Sequence, residues 1–195
     1  MRHDRTRFQA SNKCLENGQS VEREVSMALD TRLKPNEVLA VAIRSEIEAA
    51  DFYGGILARV KNVLLQQKLE FLVLEEKKHR KILERLHAER FPGTELKIPE
   101  KVVRPRPAAK VAETSPVLDL FKAALEAEKA AEEYYREARG KMADAGSRKI
   151  LDYLSRVERS HFFMIRSEID LLSRFPDYYD VEDFHLGQDL FHIGP

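Results

Sequence analysis

Hydrophobic residues recur every three or four positions over four long stretches of the chain, which is the spacing that places them on one face of an α-helix. These stretches run over residues 36 to 60, 63 to 90, 116 to 142 and 147 to 174. Short links join the first stretch to the second and the third to the fourth, whereas five prolines interrupt residues 91–116. Helices of similar length connected in this way pack as two antiparallel hairpins joined by a long crossover, so the pattern predicts an all-α four-helix bundle.

The polar segments outside these stretches divide the chain into an arm, a bundle, a crossover and a tail. The arm and the tail contain no sustained hydrophobic periodicity, although the tail is rich in aromatic residues. We expect an N-terminal arm over 1–35, the bundle over 36–174 with its crossover at 91–116, and an aromatic C-terminal tail over 175–195.

Residue types at the ends of the stretches predict where the helices begin and end. Ser115 is expected to N-cap the third helix, Gly146 to end it, and Ser147 to N-cap the fourth. Gly54 and Gly55 are unfavourable inside the first helix, so we expect close packing, a bulge or local bending there.

Composition excludes several classes of protein. The 195 residues contain 33 Lys and Arg against 33 Asp and Glu, so the net charge is zero and nucleic acid is not the expected partner. No apolar run approaches the roughly 20 residues of a membrane span. The single cysteine, Cys14, can form neither an internal disulfide nor a CxxC metal site, which favours a reducing, cytoplasmic location.

The inward faces of all four helices carry ionisable residues where apolar ones belong. These residues are Glu46, Glu76, His79, Glu128, Glu158 and His161. A constant offset of 82 positions separates Glu46, Glu76 and His79 from Glu128, Glu158 and His161 (128 − 46, 158 − 76 and 161 − 79). The chain therefore reads as two copies of one hairpin. Each half also has a tyrosine seven positions after its first glutamate, Tyr53 and Tyr135.

If these side chains converge in the core, they need cations to balance their charge. Four buried carboxylates without a Lys or Arg on the stripes would repel one another, whereas two divalent ions balance their charge. One glutamate from each of two helices and a Glu-x-x-His pair from each of the other two is the ligand set of dinuclear carboxylate bundles. A single Glu-x-x-His pair is more often only a solvated pair on a charged helix. Its presence in both halves favours a metal site over a metal-free bundle that has kept the ligand residues.

The chain resembles the rubrerythrin branch of the ferritin-like superfamily. In the first half the resemblance rests on Glu46, Ala49, Tyr53, Glu76 and His79. In the second half it rests on the matching Glu128, Ala131, Tyr135, Glu158 and His161. The resemblance spans about residues 36–174. It implies a ferritin-like bundle that binds two iron ions, with manganese as the alternative. Glu76 and Glu158 would bridge the ions, Glu46 and Glu128 would be terminal ligands, and His79 and His161 would each bind one ion. Tyr53 and Tyr135 would donate to carboxylates across the bundle, or be packed aromatics only.

Two departures from that family bear on activity. The iron-thiolate domain of rubrerythrins needs CxxC pairs that this sequence lacks, so an external reductant is required, and an electron donor protein is one candidate partner. Ala131 stands where rubrerythrins have a further glutamate linked to reaction with peroxide, and Glu132 lies one position further round the helix.

The resemblance implies a di-iron oxidoreductase that reduces hydrogen peroxide or dioxygen with electrons from iron or from the external donor, and so a role in oxidative stress. The alternatives are a metal-stabilised or iron-responsive interaction protein without turnover, whose arm and tail dock a partner, and a dimanganese catalase-like enzyme. We also expect a homodimer, because the crossover could join hairpins within one subunit or across two. His185 and His192 of the tail are expected to belong to a docking segment rather than to a metal site.

Overall fold

Four helices make up the fold in the computed structural model, which describes residues 29–30, 32–101 and 115–179. Within these ranges the structure contains no strand. The helices are α1 (Pro35–Leu57), α2 (Val63–Arg90), α3 (Val117–Arg139) and α4 (Ala145–Arg174). The all-α, ferritin-like bundle is therefore confirmed, whereas most of the arm, part of the crossover and most of the tail lie outside the described residues.

Apolar side chains fill the bundle in two clusters that are separated along its length. One cluster includes Leu39 of α1 and Leu83 of α2, and the other includes Ile56 and Leu69 of the same helices. Helices α3 and α4 also contribute to both clusters. On every helix the predicted ligand residues fall between the two clusters, so the sequence places one polar layer in the middle of an apolar core.

The two described ends of the crossover lie at opposite ends of the bundle. The guanidinium of Arg59, just after α1, donates to the carbonyl oxygen of Ser115, just before α3. At the opposite end, Arg90 at the end of α2 lies 3.3 Å from the carboxylate of Asp144, just before α4. Helix α2 therefore ends at one end of the bundle and α3 begins at the other, about 40 Å away for 28 helical residues at about 1.5 Å each. All neighbouring helices are consequently antiparallel.

Three predicted helix boundaries, at both ends of α3 and at the start of α4, are wrong. Helix α3 begins at Val117 after Pro116, so Ser115 is not its N-cap, and it ends at Arg139 rather than at Gly146. The N-cap of α4 is Asp144, whose carboxylate accepts the Ser147 backbone N–H at 2.8 Å. Aspartate caps helices as well as serine does, and here it stands three residues earlier, which draws Gly146 and Ser147 into the first turn.

The glycine pair of α1 lies in regular helix, and the expectation of close packing there is wrong. A Cβ atom built on Gly54 or Gly55 would meet no atom within 4 Å, and α1 continues through both residues to Leu57. We therefore expect Gly55→Ala to raise the free energy of unfolding by about 0.5 to 1 kcal/mol, since alanine restricts the unfolded chain more than glycine does. Denaturant unfolding monitored by circular dichroism measures this.

Gly93 provides the matched control for that substitution. It has equally open surroundings but a φ of +80°, a conformation that side chains with a Cβ rarely adopt. Gly93→Ala should therefore lower stability, and stabilisation by both substitutions would contradict the conformational explanation.

None of the four helices, over the described residues, combines the length and the apolar composition that a membrane span requires.

Candidate metal centre

The structure brings all six predicted ligand residues together in the polar layer between the apolar clusters. Each of them is at most 3% exposed. Their side chains form two groups whose potential ligand atoms lie within 4.8 Å of one another. The groups are Glu46, Glu76, His79 and Glu158, and Glu76, Glu128, Glu158 and His161.

The first group is arranged around the imidazole of His79. Its Nδ1 atom lies 3.0 Å from Glu158 Oε1, 3.3 Å from Glu46 Oε2 and 3.4 Å from Glu76 Oε2. Three carboxylate oxygens from three different helices therefore face one ring nitrogen.

The second group repeats this arrangement around His161. Its Nδ1 atom lies 3.2 Å from Glu76 Oε1, 3.4 Å from Glu158 Oε2 and 3.7 Å from Glu128 Oε2. The two imidazole rings are stacked, with an interplanar angle of 18° and centroids 5.6 Å apart. The sequence repeat thus becomes a near-symmetric pair of sites.

Glu76 and Glu158 belong to both groups and divide their oxygens between them. Glu76 turns Oε2 toward His79 and Oε1 toward His161, and Glu158 turns Oε1 toward His79 and Oε2 toward His161. A carboxylate with one oxygen in each of two adjacent groups has the geometry of a bridging ligand. Glu46 and Glu128 each face only one group.

The donor set fits a pair of metal ions. Metal–ligand bonds of about 2.1 Å give ligand–ligand separations of about 3.0 Å in an octahedron and about 3.4 Å in a tetrahedron, close to the nitrogen–oxygen distances observed here. Among the described residues, five buried side-chain atoms have no hydrogen-bond partner: Glu76 Oε1, His79 Nε2, Glu158 Oε1, His161 Nδ1 and His161 Nε2. Because buried polar atoms are normally paired, the unpaired Glu76 Oε1, Glu158 Oε1 and His161 Nδ1 atoms, which face into the two groups, fit the role of metal ligands.

The four carboxyl groups differ in protonation when no cation is present. Burial, reinforced by repulsion from Glu158 and Glu76, raises the pKa of Glu46 well above its usual value. Burial likewise raises the pKa of Glu128, against the opposing attraction of the His161 imidazole 3.7 Å away. Burial also works to raise the pKa of Glu76 and Glu158, but interactions with both imidazoles outweigh it and hold the pKa of Glu158 at about 2.

The two histidines retain their protons under the same conditions. Burial works to lower the pKa of His161, but the carboxyl groups of Glu128, Glu158 and Glu76 that face its Nδ1 atom outweigh burial and raise the pKa to about 12. The pKa of His79 is raised for the same reason. The charges of two imidazolium ions then balance those of two carboxylates. Bound protons therefore keep the metal-free site neutral, as two divalent ions would keep the loaded site.

The two tyrosines hold the carboxyl groups of Glu128 and Glu46 from across the bundle. The hydroxyl of Tyr53 on α1 donates to Glu128 Oε1 on α3, and the hydroxyl of Tyr135 on α3 donates to Glu46 Oε1 on α1. Burial and the adjacent carboxylate raise the pKa of both hydroxyls, so they remain protonated donors. Each terminal carboxylate is left with its Oε2 atom directed at the imidazole of its group.

Removing one of these hydroxyls should affect both stability and metal binding. Tyr135→Phe leaves Glu46 Oε1 buried without a donor, which is expected to cost about 1 to 3 kcal/mol of folding free energy and to weaken metal binding by freeing the carboxylate. Unfolding experiments and metal titration measure the two effects.

The adjacent tyrosine is the control for that variant. The hydroxyl of Tyr134 donates to the Val38 carbonyl oxygen at 2.8 Å and lies outside the metal groups. Tyr134→Phe should therefore lower stability without changing metal affinity. Equal losses of affinity in both variants would contradict the positioning role of Tyr135.

Residues around the layer include some that the sequence analysis missed. The ring of Phe71 contacts His161 edge to face, with centroids 6.3 Å apart, although Phe71 lies off the inward stripe of α2. Glu168 continues the three-and-four spacing of α4 and is buried, and this spacing is the signal that could have identified it. The Glu132 carboxylate lies 3.7 Å from the guanidinium of Arg159 and is in neither metal group.

The fold and the site together define a ferritin-like carboxylate–histidine bundle with a buried centre suited to two ions. The chain belongs to the rubrerythrin family, which matches residues 37–169. It is also similar to the solved structure of a hypothetical protein from Pyrococcus furiosus, with 31% identity and a TM-score of 0.63 over 73% of this chain and 92% of that one. A comparison with curated proteins finds no match.

Proposed function

We propose that the protein binds two iron ions between its two hairpins, with manganese as the alternative metal. Glu76 and Glu158 are the bridging ligands, Glu46 and His79 complete one ion's set, and Glu128 and His161 complete the other's. The observation that carries this assignment is the division of the Glu76 and Glu158 oxygens between the two groups. A donor set of carboxylate oxygens and imidazole nitrogens, without thiolate, suits iron or manganese.

We further propose that the centre serves an oxidoreductase that reduces hydrogen peroxide or dioxygen. A pair of bound iron ions supplies two electrons and a place for the oxidant. The chain contributes a layer that excludes bulk water, and its two tyrosines fix the terminal carboxylates in place. Electrons return from Fe²⁺ itself or from an external donor protein, because the sequence has no CxxC pair for an iron-thiolate domain of its own.

Metal analysis and rapid kinetics test this proposal. Protein purified from cells supplied with iron and manganese should contain two ions per chain, mainly iron. After anaerobic loading with Fe²⁺, mixing with hydrogen peroxide or with dioxygen in a stopped-flow spectrometer should oxidise the centre. A loaded centre inert to both oxidants would contradict the oxidoreductase proposal while leaving metal binding intact, and a manganese pair would favour catalase-like chemistry.

The position of Ala131 gives a separate expectation about the preferred oxidant. With no carboxylate at this position and Glu132 facing Arg159, the glutamate that rubrerythrins link to peroxide has no counterpart in either metal group. The ratio of peroxide to dioxygen reactivity should therefore rise in an Ala131→Glu variant. An unchanged ratio would show that this position does not set the oxidant.

A metal-stabilised interaction protein without turnover is the second candidate, and both ends of the described chain bear on it. Leu29 packs into one apolar cluster, and its backbone N–H donates to Glu137 Oε2 at 2.6 Å. Tyr179 donates to Glu168 at the other end of the chain. Deleting 1–28 or 180–195 separates the candidates: loss of assembly or partner binding with unchanged oxidation kinetics favours the enzyme.

A cytoplasmic homodimer completes the proposal. The long crossover supports a dimer, because a connection of this length can join hairpins of one subunit or of two. Light scattering should give twice the chain mass, and a monomer at all concentrations would contradict the dimer.

A further inference from the structure

Reactants have to reach a centre whose six ligand residues are all buried. Of the neighbouring helix pairs, α2 and α4 are the most loosely packed against each other. A cavity of about 280 Å³ lies between them, and residues just after α4 form part of its wall. Leu64 and Phe71 of α2, Met164 of α4 and Tyr178 line its apolar side.

Phe71 stands between this cavity and the candidate metal centre. Its ring lines the cavity and is 48% exposed, while its edge contacts the ring of His161, which is only 2% exposed. The two rings meet at 86°. A rotation of the Phe71 side chain would therefore open the cavity toward His161. Exposed side chains change rotamer within nanoseconds.

The polar groups at the cavity offer no net charge to an entering ion. The ammonium group of Lys68 donates to Glu168 Oε1, and the Tyr179 hydroxyl donates to Glu168 Oε2. Lys68 also lies 3.2 Å from the Tyr179 hydroxyl oxygen, so cation, carboxylate and phenol satisfy one another. An apolar cavity whose one ion pair is internally balanced favours small uncharged molecules over metal cations or anionic substrates.

We propose that this cavity is the entry route for a small uncharged oxidant, of the class of dioxygen or hydrogen peroxide, and that Phe71 is the gate between the cavity and the metal at His161. The inference rests on the proposed function and deepens it, because it assigns the α2–α4 side to delivery of the oxidant rather than of Fe²⁺.

Nitric oxide, a small neutral molecule that binds Fe²⁺, provides the test on protein loaded anaerobically with iron. The rate of nitric oxide binding, followed by stopped-flow absorbance, should rise several-fold in Phe71→Ala and fall several-fold in Phe71→Trp. Leu74→Ala is the matched control, because Leu74 is an exposed α2 side chain outside the cavity lining and should leave the rate unchanged. Equal rates in wild type and both Phe71 variants would overturn the route.

Uptake of Fe²⁺ by the metal-free protein tests the restriction to uncharged molecules. Phe71→Trp should leave the rate of Fe²⁺ uptake unchanged, and equal slowing of Fe²⁺ and nitric oxide would overturn that restriction. Oligomeric state is checked by light scattering for each variant.

Xenon provides a readout that needs no metal and so separates failure of this route from failure of the proposed function. Crystals of the metal-free protein under xenon pressure should bind xenon beside Phe71, and in Phe71→Ala the xenon should extend toward His161. Xenon absent from this cavity in both proteins would overturn the route, whatever the metal content.

Discussion

Replacing Glu158 with alanine is expected to abolish binding of both metal ions, whereas Glu46→Ala should leave about one ion per chain. Glu158 places Oε1 in the His79 group and Oε2 in the His161 group, so its loss removes a ligand from each site and the bridge between them. Glu46 faces only the His79 group, and the second set of ligands remains complete without it. Loss of a bridging ligand removes donors from two ions at once, which makes this the largest effect expected of any single substitution here.

Metal content after anaerobic reconstitution and dialysis measures the difference, with circular dichroism to establish that each variant is folded. Glu48→Ala is the control, because Glu48 lies two positions from Glu46 but pairs with Arg44 at 3.1 Å outside both groups. It should retain two ions. Identical stoichiometry for the Glu46 and Glu158 variants would contradict the division into terminal and bridging ligands.

Metal loading is expected to release about four protons per chain at neutral pH, because metal binding requires deprotonated ligands. Two would come from the carboxyl groups of Glu46 and Glu128, whose pKa values are raised by burial. Two more would come from the imidazolium ions of His79 and His161, the latter with a pKa of about 12. Glu76 and Glu158 contribute none, because the pKa of each is lowered.

The sign of the pH dependence follows from competition between protons and metal. Apparent affinity falls as pH falls, and it keeps rising with pH through the neutral range because His161 would lose its proton only near pH 12 in the absence of metal. Titration of weakly buffered protein with Fe²⁺ in the presence of a pH indicator counts the protons directly. In Glu46→Gln the His79 group has lost a ligand and an acidic proton, so the intact His161 group should release only its own share of about two protons. A metal affinity independent of pH would contradict the protonation assigned to the metal-free site.

The metal layer was predictable from sequence because its residues interrupt regular helical patterns. Glu76 with His79 and Glu158 with His161 each occupy inward positions that should be apolar, and their common offset exposes the duplication. Helical spacing then fixes which face they share. Donation by Tyr53 and Tyr135 to carboxylates across the bundle was expected only through the family resemblance. The structure contains both hydrogen bonds and identifies the acceptors as Glu128 and Glu46.

Contacts that depend on how the helices pack were beyond the sequence pattern. Phe71 lies off the inward stripe, and its contact with His161 exists only because α2 and α4 are antiparallel neighbours. The ion pair of Lys68 with Glu168 joins residues 100 positions apart, and no local signal links them. The start of α4 was misplaced because Asp144 and Ser147 are both good capping residues, and only the backbone geometry distinguishes them.

The exchange of tyrosine hydrogen bonds between the halves has a consequence for how the protein folds. Each hairpin can form locally, since its helices are joined by a short link, but each supplies the donor that orients the other hairpin's terminal carboxylate. Docking of the hairpins therefore buries six ionisable groups in one step, and cations would offset that desolvation. Bound metal would therefore hold two preformed hairpins together. The interface between the hairpins should be the first part of the metal-free protein to open on heating. It should also be the part in which metal binding most increases protection from hydrogen exchange.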